Sequence, residues 1–124
     1  MALDASNTGA LQARSRDLPI SGATRHYYNG TDNDSATAKE IIAAPGAGRR
    51  LILTHLTFVS TLSQNFSILD GATTTLIGPV PLELQRWSED FDYGIQLTAN
   101  TAMYAKSSAD SYYQVYVEYI NAPA

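Results

Sequence analysis

Two histidines, His26 and His55, are the only imidazoles in this chain, and it has no cysteine. Acid–base chemistry near neutral pH falls most readily to histidine, because its ordinary titration range lies there. His55 sits inside the strand-forming run 51–60, on the face predicted to carry Leu53 and Thr57. A lone histidine in that setting reads as a packed or partly exposed strand residue rather than a base. Serine is plentiful, but no Gly-x-Ser-x-Gly nucleophile elbow occurs, so no Ser-His-Asp set is assigned. Neither histidine has a partner at zinc-binding spacing, and without cysteine there is no thiolate site and no disulfide. The expectation is a non-enzymatic chain with no catalytic residue, no metal and no cofactor.

The densest cluster of reactive types is ELQRWSEDFD, residues 83–92, with four carboxylates and the only tryptophan. Glu83 with Glu89 or Asp90 is conceivable as a glycosidase pair, but such a pair must flank a cleft, whereas adjacent acids in one loop project into solvent. Arg86 and Trp87, at the predicted loop tip, are residue types that dominate interface energetics. Equally, Trp87 can fold back and cap the end of the domain. Asp32, Asn33 and Asp34 gather oxygen ligands, but the Gly and Glu of a calcium loop are missing at their positions, which leaves a solvated turn. The PGAG turn at 45–48 precedes a strand, whereas phosphate cradles follow a strand and open a helix. It is read as a hairpin turn.

The elements that must position these residues are strands. Residues 45–60, PGAGRRLILTHLTFVS, form the organising one. Strict alternation would place Leu51, Leu53 and Val59 on one face and Ile52, Leu56 and Phe58 on the other, so both faces need cover. Further strands are predicted before the 29–36 turn, over 38–44, on either side of Asp70-Gly71 as a hairpin, and through Val80, Leu82 and Leu84, with Pro81 marking an edge. Phe91, Tyr93, Ile95 and Leu97 alternate as a single-face strand, 103–106 is short, and 112–120 closes the chain. In the last strand Tyr113, Val115, Val117 and Tyr119 share one face, and Tyr112, Gln114, Tyr116 and Glu118 the other. Turn signals every 8–12 residues or so and no lasting helical period give an all-β, antiparallel β-sandwich of about eight strands.

Composition narrows the partners. The formal net charge is -4 and charged residues are 16% of the chain, so the basic stripe that binds nucleic acid is missing. No window approaches the roughly 18 apolar residues of a membrane-spanning helix. Residues 1–17 read as an extended arm, with Leu3, Leu11, Arg14 and Arg16 suited to lie along a neighbouring subunit and order on binding. Residues 18–124 read as the sandwich domain. Tyr112 and Tyr116, on the face away from the core, suit a subunit interface better than a sugar platform, since Gln114 separates them and charges are few. A symmetric homo-oligomer would bury that row.

Several features occur together in order: the Gly-rich turn and arginines before the long strand at 45–60, an Ile-x-x-Gly hairpin at 68–71, a Gly-Pro-Val strand at 78–84, LTAN at 97–100, and a final Tyr/Val strand at 112–120. In this layout residues 38–121 resemble the small jelly-roll-like sandwich proteins of tailed-bacteriophage virions, the head decoration or cement proteins and related tail-fibre modules. The resemblance implies a structural protein of the capsid exterior, made in the host cytoplasm, often trimeric, that binds the major capsid protein and clamps neighbouring capsomers. The alternative it implies is a glycan-binding or structural module of a tail fibre or other tail component, with Trp87 and exposed tyrosines as stacking surfaces.

Overall fold

The computed structural model describes residues 22–30, 37–82, 85–109 and 112–124. Eight strands follow in chain order: β1 (Thr24–Gly30), β2 (Lys39–Ile42), β3 (Arg49–Ser60), β4 (Asn65–Asp70), β5 (Thr74–Pro81), β6 (Arg86–Gln96), β7 (Met103–Ser107) and β8 (Tyr113–Pro123). They pair antiparallel into two four-stranded sheets, ordered β1-β8-β3-β6 and β2-β7-β4-β5. Among these strands only β4 and β5 are both consecutive and hydrogen-bonded; every other connection passes between sheets. That is the strand order of a jelly roll, so the all-β sandwich expected from the sequence is the fold. The arm with Leu3, Leu11, Arg14 and Arg16, the Asp32–Asp34 cluster and Glu83 all lie outside the described residues.

β3 is the spine, bonded along its length to β8 and over most of it to β6. Its faces are not those of simple alternation. Leu51, Leu53, Leu56 and Phe58 all point into the core, while Ile52 and Val59 do not. The cause is a bulge: against β8, Leu53 pairs with Tyr119 and His55 with the very next residue, Glu118, so Thr54 is an extra residue that reverses the parity of everything after it. A one-residue shift of this kind moves each later side chain to the opposite face. Thr54 is nevertheless buried, because its hydroxyl donates to the Glu118 side chain (Oε1, 2.8 Å).

The core lies between the sheets. Leu51, Leu53, Leu56, Phe58, Val115 and Val117 come from one sheet, and Ile41, Phe66, Ile68, Met103 and Ala105 from the other. Phe58 sits at its centre, stacked on Phe66 across the gap (4.3 Å between centroids) and on Tyr113 beside it (5.1 Å). Tyr113, Val115 and Val117 are buried on the predicted inner face of β8, with Tyr119 packed against the core. The separate strand expected through Val80, Leu82 and Leu84 is not there: Val80 and Pro81 are the last residues of β5, with Leu82 beyond its end, and β5 has the edge position that Pro81 signalled.

Three other expectations are corrected. The 45–48 turn joins β2 to β3, which belong to different sheets, so it is an inter-sheet crossing and not a hairpin. It is held by Asn100, whose Oδ1 accepts from the Gly46 amide (3.1 Å), and Arg49 ties the end of β3 to Asn121 of β8 (2.9 and 2.7 Å). Residues 86–90 are not a loop but the first half of β6, paired with Val59 through His55. Within β6 the alternation of Phe91, Tyr93 and Ile95 fails. Phe91 and Ile95 are half-buried and packed on the core, whereas Tyr93 is 99% exposed, beside Gly94 in a left-handed conformation.

Candidate functional site

Outward-facing side chains of an antiparallel sheet line up across strands, because residues directly opposite one another share a face. The outer face of the β1-β8-β3-β6 sheet therefore carries cross-strand rows that no single strand reveals. One row runs Arg25, Glu118, His55, Asp90. The next runs Tyr27, Tyr116, Thr57, Ser88. The third includes Gln114, Val59 and Arg86. The Thr54 bulge is what brings His55, Thr57 and Val59 to this face together.

The side chains make one connected polar chain. His55 Nδ1 lies 2.6 Å from Asp90 Oδ1, His55 Nε2 lies 2.8 Å from Thr57 Oγ1, and Thr57 Oγ1 lies 2.8 Å from Ser88 Oγ. Its polarity follows from which atoms carry protons. An ionised carboxylate only accepts, so Nδ1–H donates to Asp90. In a neutral ring Nε2 must then accept from the Thr57 hydroxyl, and Thr57, its one proton committed, accepts from Ser88. Donation runs in a single direction, from Ser88 through Thr57 and His55 to Asp90. Nitrogen NMR of His55 in its neutral form should accordingly find the proton on Nδ1. Asp90→Ala should release that preference, and a ring already mixed between tautomers in the wild type would contradict the assignment.

Aromatic rings flank the polar chain. Tyr27 packs on Tyr116 at 4.6 Å between centroids, and Tyr116 lies 5.6 Å from the His55 ring. Tyr27 remains 68% exposed. Between these rings, Thr57, Ser88, Arg86 and Gln114 is a shallow groove of about 430 Å³. A larger hollow of about 550 Å³ lies over the other sheet, lined by hydroxyls, small residues, Asn65, Leu69, Pro79 and Lys106, with no aromatic ring and no acid–base pair among the described residues.

An Asp-His-Thr order invites comparison with acyl-transfer enzymes, in which the histidine takes a hydroxyl proton. Such chemistry also needs donors aimed at a developing oxyanion. β3 is paired on both sides, so its amides around Thr57 belong to the two ladders. What the arrangement offers is a rigid, hydrogen-bonded surface with the hydroxyl positions fixed.

Of the residues singled out from sequence, Arg86 and Tyr116 line this groove. Tyr112 is 59% exposed just before β8, where its carbonyl accepts from Thr61 (3.0 Å). Trp87 is not at a loop tip: it is the second residue of β6, half-buried, with its ring 5.3 Å from Phe66. It caps the core, so it is removed from the stacking surface. Sequence reasoning missed Tyr27, Thr57, Ser88 and the pairing of His55 with Asp90. The alternation of His55, Thr57 and Val59 was a signal for a shared face, but taking 86–90 as a loop hid the partner strand. Among protein-family models, curated proteins and solved structures, no match to this chain was found.

Proposed function

We propose that this chain is a non-enzymatic structural protein of a tailed-bacteriophage virion, a decoration protein that seats on the outer capsid surface and strengthens contacts between capsomers. The observation that carries the reading is the β1-β8-β3-β6 and β2-β7-β4-β5 strand order. Jelly rolls of this kind serve as building blocks of viral shells, and also as lectins, and the narrower reading is taken from the family resemblance of residues 38–121. The surface supports the same reading. Tyr27, Val59, Leu62 and Tyr112 are exposed large side chains, and tyrosine is enriched in protein interfaces while most charged types are depleted there. A stable contact needs about 800 Å² on each partner, which a broad sheet face supplies and a cleft does not.

The partner in this reading is the major capsid protein, the assembly a homotrimer, and the location the capsid exterior. Each bound copy adds buried interface at a capsomer joint and so resists internal pressure. Adding the purified chain to capsids that lack it should raise the temperature at which they rupture, in proportion to occupancy. Capsids that bind the chain yet rupture at an unchanged temperature would remove the stabilising role. Light scattering on the free chain, giving a mass of three copies, checks the trimer separately.

A further inference from the structure

We propose that the groove on the outer face of the β1-β8-β3-β6 sheet is a binding site for a neutral pyranose sugar, such as one residue of an oligosaccharide, held between the Tyr27–Tyr116 rings and the Thr57–Ser88 hydroxyls. This site stands independently of the virion reading. Of the Trp87-and-tyrosine sugar surface that the sequence suggests, Trp87 drops out because it is packed on Phe66, and the rings that remain are tyrosines on β1 and β8.

The argument starts from the row Tyr27, Tyr116, Thr57, Ser88, which crosses all four strands. Half of the row is aromatic face and half is hydroxyl. A ligand that satisfies both must itself have an apolar face and a polar edge within the span of a few ångströms. A pyranose ring has this form, with axial C–H groups on one face and hydroxyls around the rim. The negative face of an aromatic ring attracts the weakly positive C–H hydrogens, and the flat ring excludes water from them.

The rest of the lining supplies what a hydroxyl rim needs. Arg86 and Gln114 bracket Val59 in the adjacent row and are planar groups, one a donor fork and the other a donor–acceptor pair. Neither has a side-chain hydrogen bond of its own among the described residues. The Ser88 oxygen, at the head of the one-way chain that ends on Asp90, is left with acceptor capacity. With the His55 ring neutral, the Ser88 proton is committed to Thr57, which fixes where that acceptor lies. The Thr57 and Ser88 hydroxyls are therefore presented without a conformational search, and preorganisation of this kind lowers the entropic cost of binding.

Size and charge decide between occupants. About 430 Å³ lies within the range of small-ligand sites, roughly 300–1,000 Å³. A protein partner would need a far larger contact than the groove provides. Charge favours a neutral ligand: Arg86 is the one permanently cationic group among the described lining residues, and the Asp90 carboxylate, bonded to the lining residue His55, lies at the next row but one on the same strand. An anion would gain from the first and lose to the second.

The test is a set of NMR titrations of the full chain with methyl glucoside, methyl galactoside, methyl mannoside and N-acetylglucosamine, and with glucuronate as the acidic arm. At least one neutral sugar is expected to shift the signals of Tyr27, Tyr116, Thr57 and Gln114 saturably. Tyr27→Ala, at an exposed position that does not threaten folding, should weaken that sugar on the order of tenfold, the scale of one ring contact. Tyr93→Ala, more exposed but outside the groove, should leave the affinity unchanged. No saturable shift with any neutral sugar would overturn the proposal, and so would binding that Tyr27→Ala leaves intact. Binding confined to glucuronate and abolished by Arg86→Gln would replace it with a simple anion contact.

Discussion

Phe58→Ala is expected to cost about 3–5 kcal/mol of folding stability, the range for removing a fully buried aromatic side chain. Phe58 is 0% exposed, and its ring lies in contact with Phe66 of the opposite sheet and Tyr113 of its own. The deletion therefore removes the piece that joins the two layers, and β4 and β8 lose packing together. Neither ring neighbour can swing in to fill the gap without abandoning its own buried position. Against a typical total of about 5–15 kcal/mol for a domain, this is roughly a fifth of the stability or more. In denaturant titration the midpoint should fall with the slope unchanged. A loss below about 1 kcal/mol would mean that the sheets close over the space, contrary to the packing described.

The next largest effect is expected at Gly78, in β5, and here the cause is the backbone. Its φ is +109°, and a Cβ built there would come within 2.7 Å of the Phe66 carbonyl oxygen and 3.1 Å of Ser67 Cα on the neighbouring strand β4. Both neighbours are main chain held in a ladder, so neither can turn aside. Gly78→Ala should therefore cost on the order of 3 kcal/mol, combining left-handed strain with overpacking. Gly48→Ala separates the two contributions. Gly48 also has positive φ (+76°), but nothing lies within 4 Å of its would-be Cβ, so only the strain, about 1–2 kcal/mol, should appear. Equal losses at the two positions would show that close approach at Gly78 contributes nothing.

Much of this fold was legible because its signals are local. The Asp70-Gly71 turn, the alternation of Tyr113, Val115 and Val117, and the proline at the end of β5 each mark a feature within a few residues of itself. The jelly-roll order is not local, since it depends on which strands meet across the whole chain. The site was less legible still. Thr54 is an ordinary strand residue by type, and nothing in LTHLT announces that it forms a bulge, yet that one residue decides that Leu56 and Phe58 face the core and His55 faces out with Thr57. Once β6 is seen to begin at Arg86, the pairing of His55 with Asp90 and of Thr57 with Ser88 follows from register alone. Tyr27 escaped notice for the same reason: its partner Tyr116 is distant in sequence and adjacent only in the sheet. Trp87 shows the opposite error, in which a conspicuous residue type suggested an exposed role that its strand position denies.

The proposed capsid role is tested most directly by co-sedimentation of the purified chain with mature tailed-phage capsids that lack a decoration protein. The account predicts saturable binding with a fixed number of copies per capsid, competed by unlabelled chain and weakened when Tyr112 is replaced by alanine on the exposed surface. A chain that stays in the supernatant at every concentration, while remaining folded by circular dichroism, would contradict it.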